Sequence, residues 1–449
     1  MSEPLRLLRY NTGTDKKAFI EFKDEFNAVI FNSTIVAFSG AAIADLVSVH
    51  KNRYIIDPQT HIFQHNTSAI KSKSQKTGNL EVKKSVEKYL DELPNIFKDI
   101  LIVKDRPVTI PEILSDKFEL AEAVYQFQTR FITKFIEKKE YNKYLDFVDA
   151  RPRPKLLIAP YFMLKNEYSA DDTESWLGAN KELLSIFSSK HSDPNEIAAQ
   201  FEIDKKILLR KELCTLVSNT YAENNCKYVF IWIDDFNSFS AKREERKAFY
   251  NLLAAFREVG KKPIMAYGGY DSILLCHKEI KNRLYGVAQS IGYGEQREIT
   301  PVGGGLPVNK YYFYPLHQRL KFSDAAQILQ KCGYFNEDVA YQLRTADYYK
   351  YICNCDECHQ VINTDINNFN HYNESTPFTF KNSGVMRNRP TTDATFIAAK
   401  HFLWCKINEW NSIANYPLSE IINELLRNIE TYNPNSEDSM KEWCELYGK

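Results

Sequence analysis

Tyr351-Ile-Cys353-Asn-Cys355-Asp-Glu-Cys358-His359 is the stretch on which the reading of this chain turns. Three thiols fall within six residues, with one residue between the first two and two between the next. So short a segment cannot pair all three with one another as disulfides. It does let three thiolates converge on one ion, leaving one tetrahedral position for a later His or Cys. The favoured donor is His401, in the helical run Ala398-Ala-Lys-His401-Phe-Leu-Trp-Cys405, where Cys405 shares its face one turn on. His359 directly follows a ligand and would have to turn back on itself, and His371 sits in a polar stretch with no regular element to hold it. Cys353, Cys355, Cys358 and His401 are thus the predicted ligands of a zinc ion. Such a closed site is structural, because no position remains for water.

The other cysteines, Cys214, Cys226, Cys276, Cys332, Cys405 and Cys444, are scattered. The start, Met-Ser-Glu-Pro, lacks the charged-then-apolar pattern of a secretory signal, and no apolar run reaches the length that spans a bilayer. A reducing, cytoplasmic setting with no membrane partner is expected, and it favours metal over disulfide. With 58 basic and 58 acidic residues the formal charge is zero, so no global basic excess marks a strong nucleic-acid binder. A balanced total still leaves room for a local patch.

Upstream of the cluster, short apolar runs rich in β-branched residues alternate with amphipathic segments. Strands are predicted at 29–31 leading into 34–38, and at 54–56, 155–159, 228–233, 263–267, 299–302 and 311–314. Several are apolar on both faces, the pattern of strands covered by helices. A helix over 242–259 repeats Phe249, Leu252, Leu253 and Phe256 at helical spacing and stops at Gly260; another over 323–331 ends before Gly333. Residues 64–85 read as a polar loop or lid and 361–392 as a polar insertion, with helices expected at 395–412 and 418–432. Strand–helix alternation over this length predicts α/β, with a (β/α)8 TIM barrel as the natural candidate. The expected division is a barrel over 1–345, then an inserted zinc-binding subdomain and a helical C-terminal region over 346–449.

The Cys-x-Cys-x2-Cys spacing, with a His in a downstream helix, resembles the zinc site of the tRNA-guanine transglycosylase superfamily. Those proteins are (β/α)8 barrels that exchange guanine in a nucleic acid for a 7-deazaguanine. Further matches follow in order across roughly residues 25–430. Tyr54-Ile-Ile-Asp57 resembles the strand end that carries the family's first active-site aspartate. Val229-Phe-Ile-Trp-Ile-Asp234-Asp235 resembles the strand whose carboxylate recognises the base. Ile264-Met-Ala-Tyr267-Gly268 resembles the strand ending in a base-binding glutamine, and Gly303-Gly304-Gly305 resembles the glycines beneath the base. The resemblance implies Asp57 as general acid/base at the glycosidic bond and Asp234 as reader of the base. Asp235, Tyr267, Gly268, Gly303, Gly304 and Gly305 would line the base. The chemistry is consistent: acidic side chains accept hydrogen bonds from base N–H groups, and glycines let backbone amides approach a ring. The bland readings are a helix cap or ion pair for each acid and a plain turn for the glycines.

Two departures stand out. Tyr267 occupies the place of the glutamine, and no segment matches the one that bears the family's nucleophilic aspartate. Asp338 and Asp347 remain as candidates, while Asp324 reads as a first-turn helix acid. The expectation is a transglycosylase-like enzyme that exchanges or cleaves guanine or 7-deazaguanine at an N-glycosidic bond in DNA or tRNA. A homodimer is implied by the resemblance alone. Two alternatives stand beside it: a deazapurine-handling protein of a bacterial anti-phage system acting on a nucleotide or protein partner, and a non-catalytic binding subunit.

Overall fold

The structure, a computed structural model, describes the chain except for residues 1–2, 11–12, 50–52, 75–77, 141, 148–150, 191–195, 292–307, 336–340, 380–383 and 449. One sheet holds eight parallel strands: β1 (Leu5–Tyr10), β2 (Ala28–Asn32), β3 (Tyr54–Asp57), β4 (Leu157–Ile158), β5 (Ile197–Asp204), β6 (Tyr228–Asp234), β7 (Lys262–Met265) and β8 (Gly286–Ser290). Their order, β3-β2-β1-β8-β7-β6-β5-β4, is sequential around a ring. The ends nearly meet, for Lys155 donates its N–H to the Tyr54 carbonyl at 2.7 Å and Tyr54 bridges Pro154. Strand alternation sends at least one apolar residue of each strand, among them Leu7, Ile30, Ile55, Ile158, Ala198, Phe230, Ile264 and Ala288, into a packed interior. The opposite face of the sheet joins the larger core beneath the helices.

Helices Ser33–Val49, Lys117–Ile136, Ala170–Ser189, Leu213–Tyr221, Arg243–Glu258 and the short Tyr270–Leu274 follow β2 to β7 in turn. The ring is completed late in the chain by Thr392–Asn415, which packs on Gly13–Phe22 and on Tyr270–Leu274. The cysteine cluster therefore lies in an excursion between β8 and the helix that follows it around the barrel. That excursion includes the hairpin β9 (Lys310–Phe313) and β10 (Gln318–Lys321), helices Phe322–Lys331, Tyr341–Tyr351 and Asp356–Ile362, and the hairpin β11 (Ser375–Thr379) and β12 (Met386–Pro390). Leu418–Tyr432 and Glu437–Tyr447 close the chain. Among the described residues no helix is long and apolar enough to cross a membrane.

Several local expectations change. Residues 34–38 are helical rather than extended: they form the first turns of Ser33–Val49, which kinks at Ser39 before its alanine-rich stretch Ala41, Ala42 and Ala44. The predicted strand at 311–314 exists, but in the hairpin off the barrel. The strand predicted at 299–302 and the glycines Gly303, Gly304 and Gly305 lie outside the described residues. Strands β1, β5 and β8 lacked a strong apolar run: Arg9, then Gln200, Glu202 and Asp204, then Gln289 and Ser290 interrupt them. The polar stretches are ordered in part, as the small hairpin of Lys71–Lys73 with Leu80–Val82 and as β11–β12.

Candidate metal centre and barrel mouth

Cys355 caps the helix Asp356–Ile362, and Cys358 sits in that helix's first turn, so the two sulfurs face the same point. The Cys358 N–H reaches the Cys355 sulfur at 3.4 Å. His401 comes from the third turn of Thr392–Asn415. Its Nδ1 lies 3.8, 3.4 and 3.3 Å from the sulfurs of Cys353, Cys355 and Cys358. With metal–sulfur bonds of about 2.3 Å and metal–nitrogen bonds of about 2.0 Å, a tetrahedron has sulfur–nitrogen edges of roughly 3.5 Å. All four donor atoms are mutually within 4.8 Å and all four residues are buried, so the set fits one metal ion.

The surroundings orient the donors. His401 Nε2 lies 2.8 Å from the Tyr312 carbonyl, which fixes the proton there and turns the Nδ1 lone pair toward the sulfurs. Tyr311 stacks on the imidazole with centroids 4.4 Å apart. The hydroxyls of Tyr348 and Tyr372 lie 3.1 and 3.5 Å from the Cys358 sulfur. Burial raises the Cys358 thiol, but hydrogen bonds from Cys353 and Cys355 and the adjacent His401 more than offset it and hold it well below the usual range. Cys355 is pushed the other way by its contacts with Cys353 and Cys358 and by burial. Cys405 also borders the cluster, 3.9 Å from the Cys353 sulfur and 3.7 Å from His401 Nδ1.

Two ion-pair systems join the cluster to the barrel. Lys400 bridges Glu357 at 2.7 Å and Glu21 at 3.0 Å, linking the ligand helix, the closing helix and the first helix. Further along the same helix, Lys406 and Glu409 pair at 3.0 Å with both side chains fully buried. Glu409 also accepts from His317 at 2.8 Å and from the Tyr312 hydroxyl, while His317 stacks on Tyr270.

The second polar centre lies at the C-terminal ends of the barrel strands. Asp57 ends β3 and is fully buried. It accepts from Arg9 Nη1 at 3.0 Å, from the Tyr161 hydroxyl at 2.6 Å and from the Gln59 N–H at 3.2 Å. Arg9, 1% exposed, also donates to the Ala266 carbonyl at 2.7 Å and the Tyr267 hydroxyl at 3.1 Å. Its guanidinium lies 4.1 Å from the Tyr267 ring centre, and that ring leans on Trp232. Glu202 of β5 accepts from Gln200 at 2.7 Å, and its other oxygen lies 3.3 Å from His61 Nδ1. Burial first, then the Asp57 charge, pushes the Glu202 carboxyl well above its ordinary range, which favours its protonated form.

The structure separates the two acids that end β6. Asp234 continues the inward alternation of Phe230 and Trp232 and contributes to the raised Glu202 carboxyl. Asp235 has φ +55° and a 71% exposed side chain that pairs with Lys205 at 2.6 Å on the surface. Gly268 is required by packing, since a Cβ there would meet Val287 at 2.5 Å and Ser272 at 2.8 Å. Of the nucleophile candidates, Asp338 lies outside the described residues. Asp347 belongs to Tyr341–Tyr351, which packs on the Ile366–Asn373 turn of the metal region.

Arg9, His61, Tyr161 and Glu202 were not anticipated. The signal was present: Leu5, Leu7 and Arg9 alternate on one strand face, as do Ala198, Gln200, Glu202 and Asp204. A charged residue continuing an apolar face marks the point where a barrel interior turns polar. No family model matches the chain, and a search of curated proteins finds no match either.

Proposed function

We propose that the chain is a transglycosylase-like (β/α)8 barrel that handles a guanine-type base of a nucleic acid at its mouth, with a structural zinc ion held by Cys353, Cys355, Cys358 and His401. The observation that carries this reading is where the metal cluster sits. Three thiols come from the excursion after β8, and the histidine comes from the helix that closes the ring of a sequentially ordered parallel barrel. That combination is what the sequence resemblance implies. Three sulfurs and one imidazole at tetrahedral spacing favour zinc, and four protein donors leave no position for substrate. The ion would brace the excursion against the barrel and take no part in base chemistry.

At the mouth, Asp234 offers an acceptor to the N–H edge of a guanine-like ring. Glu202, whose burial favours the protonated form, would offer an O–H donor to a ring acceptor or to a departing base. Asp57 is held as part of the Arg9–Asp57–Tyr161 network and would have to release a partner before it could carry a proton.

That closed network favours a second reading, a base-binding or assembly subunit without turnover. One experiment separates the two. Purified zinc-loaded protein is offered labelled guanine and 7-deazaguanines against tRNA, duplex DNA and single-stranded DNA, alongside Asp234→Asn and Glu202→Gln. Label entering one polymer, and lost in both variants, supports the enzyme. Binding of free base without incorporation into any polymer, in folded and metal-replete protein, supports the second reading.

A further inference from the structure

The hairpin β11–β12 stands nearly free of the rest of the molecule. Eight of its ten strand residues are exposed, Phe378 and Pro390 being half-buried. Its base is nonetheless fixed. The Thr391 N–H bonds the Glu374 carbonyl at 3.0 Å, and Asn309 bonds the Asn373 carbonyl at 3.0 Å. Thr391 in turn caps the closing helix through Ala394. In such a barrel each helix runs back along its strand, so its N-terminus lies at the C-terminal ends of the strands. The hairpin therefore springs from the rim on the mouth side.

Its chemistry is one-sided. Phe378 pairs with Arg387 and Thr376 with Arg389, which puts all four on one face. The Arg389 guanidinium lies 5.0 Å from the Phe378 ring centre. The sequence from Ser375 to Pro390 contains no acid, and among the described residues neither arginine has an acidic partner. Charge on an open strand edge also serves to discourage aggregation. That explanation does not account for Val385 and Met386, which are 46% and 69% exposed at the same ribbon.

We infer that β11–β12 is a nucleic-acid docking ribbon in which Arg387 and Arg389 contact backbone phosphates. Two residues apart on a strand, the guanidinium stems stand about 6.7 Å apart on one face. Two-stranded ribbons enter nucleic-acid grooves, and a basic face with an aromatic ring suits phosphate and sugar contact. The inference deepens the proposed function by naming the surface that meets the polymer, and it rests on that reading for its partner class but not for any chemistry at the mouth.

The test is fluorescence anisotropy of the full chain with a labelled duplex DNA, the corresponding single strand and a folded RNA hairpin, in 50 to 200 mM salt. Anionic lipid vesicles run alongside. Each phosphate contact contributes about 0.9 to the slope of log affinity against log salt on duplex DNA, so Arg387→Ala/Arg389→Ala should flatten the slope by about 1.8. The advantage of the unaltered protein then shrinks about 12-fold between the two salt concentrations. Arg387→Lys/Arg389→Lys, which keeps the charge, should keep most of the slope. Metal content and circular dichroism check that both variants fold. An unchanged slope in the alanine pair, no binding to any of the three polymers, or binding to vesicles alone overturns the inference. Nucleic-acid binding through the ribbon with no base exchange leaves it standing while the enzymatic reading fails.

Discussion

Replacing Asp57 by alanine should cost stability, and the size of the loss tests what holds the barrel mouth together. Asp57 is 0% and Arg9 1% exposed, and they meet at 3.0 Å. Removing the carboxylate leaves a guanidinium buried without its anion and the Tyr161 hydroxyl without the acceptor it now reaches at 2.6 Å. Breaking a buried pair from one side costs about 3–5 kcal/mol, roughly a hundred- to a few-thousandfold in the unfolding equilibrium. Arg9→Met strands the carboxylate instead and should cost a similar amount. The double variant Arg9→Met/Asp57→Ala removes both charges, so it should lose far less than the sum, with a coupling above about 2 kcal/mol. The assay is urea unfolding of the four proteins, read as midpoint shifts at constant slope. An acid kept only for catalysis behaves differently, since removing it usually leaves stability unchanged or raises it. A loss under about 1 kcal/mol for Asp57→Ala, or additive single losses, would refute the account of the mouth as a cooperative ion-pair network.

Three further outcomes are expected. Glu202→Gln should stabilise the protein near neutral pH. The Glu202 carboxyl stays protonated in the folded state above the ordinary value of 4.5, where the unfolded chain has released its proton, so stability falls as pH rises through that window; unfolding measured from pH 4 to 8 should show a flatter fall in the variant. His401→Ala should abolish tight retention of one equivalent of zinc, whereas Cys405→Ala should keep it, read by elemental analysis after dialysis against a weak chelator. Retention in His401→Ala with loss in Cys405→Ala would transfer the fourth position to the thiol. Glu409→Ala should destabilise by about 3–5 kcal/mol, because it leaves Lys406 buried and also strips His317 and Tyr312 of their acceptor. A thermal midpoint like that of the unaltered protein would show that the closing helix does not depend on this pair.

The candidate metal cluster was legible because its signal is local and chemical. Cys353, Cys355 and Cys358 declare themselves by spacing, and His401 by its place on a long helical run. The barrel was legible as a class because strands such as Tyr228–Asp234 are apolar on both faces and alternate with amphipathic helices such as Arg243–Glu258. The strands that were missed bring polar side chains into the barrel interior. In β1 and β5 the inward face begins apolar and ends in Arg9 and in Gln200 and Glu202, so the pattern of a buried strand breaks where the interior becomes polar.

By itself the sequence determined which side chains are candidate metal ligands, which segments must be covered on both faces, and that one long polar insertion precedes the histidine helix. These follow from short-range spacing and from the alternation of apolar side chains. Only the tertiary structure decided that Thr392–Asn415 closes the ring, that Asp234 turns inward while Asp235 faces solvent, and that Asp57 is locked to Arg9 across 48 residues of chain. Those outcomes depend on which distant groups share one low-dielectric interior. There an unpaired charge costs several kcal/mol, and closing the barrel selects the partner that removes that cost.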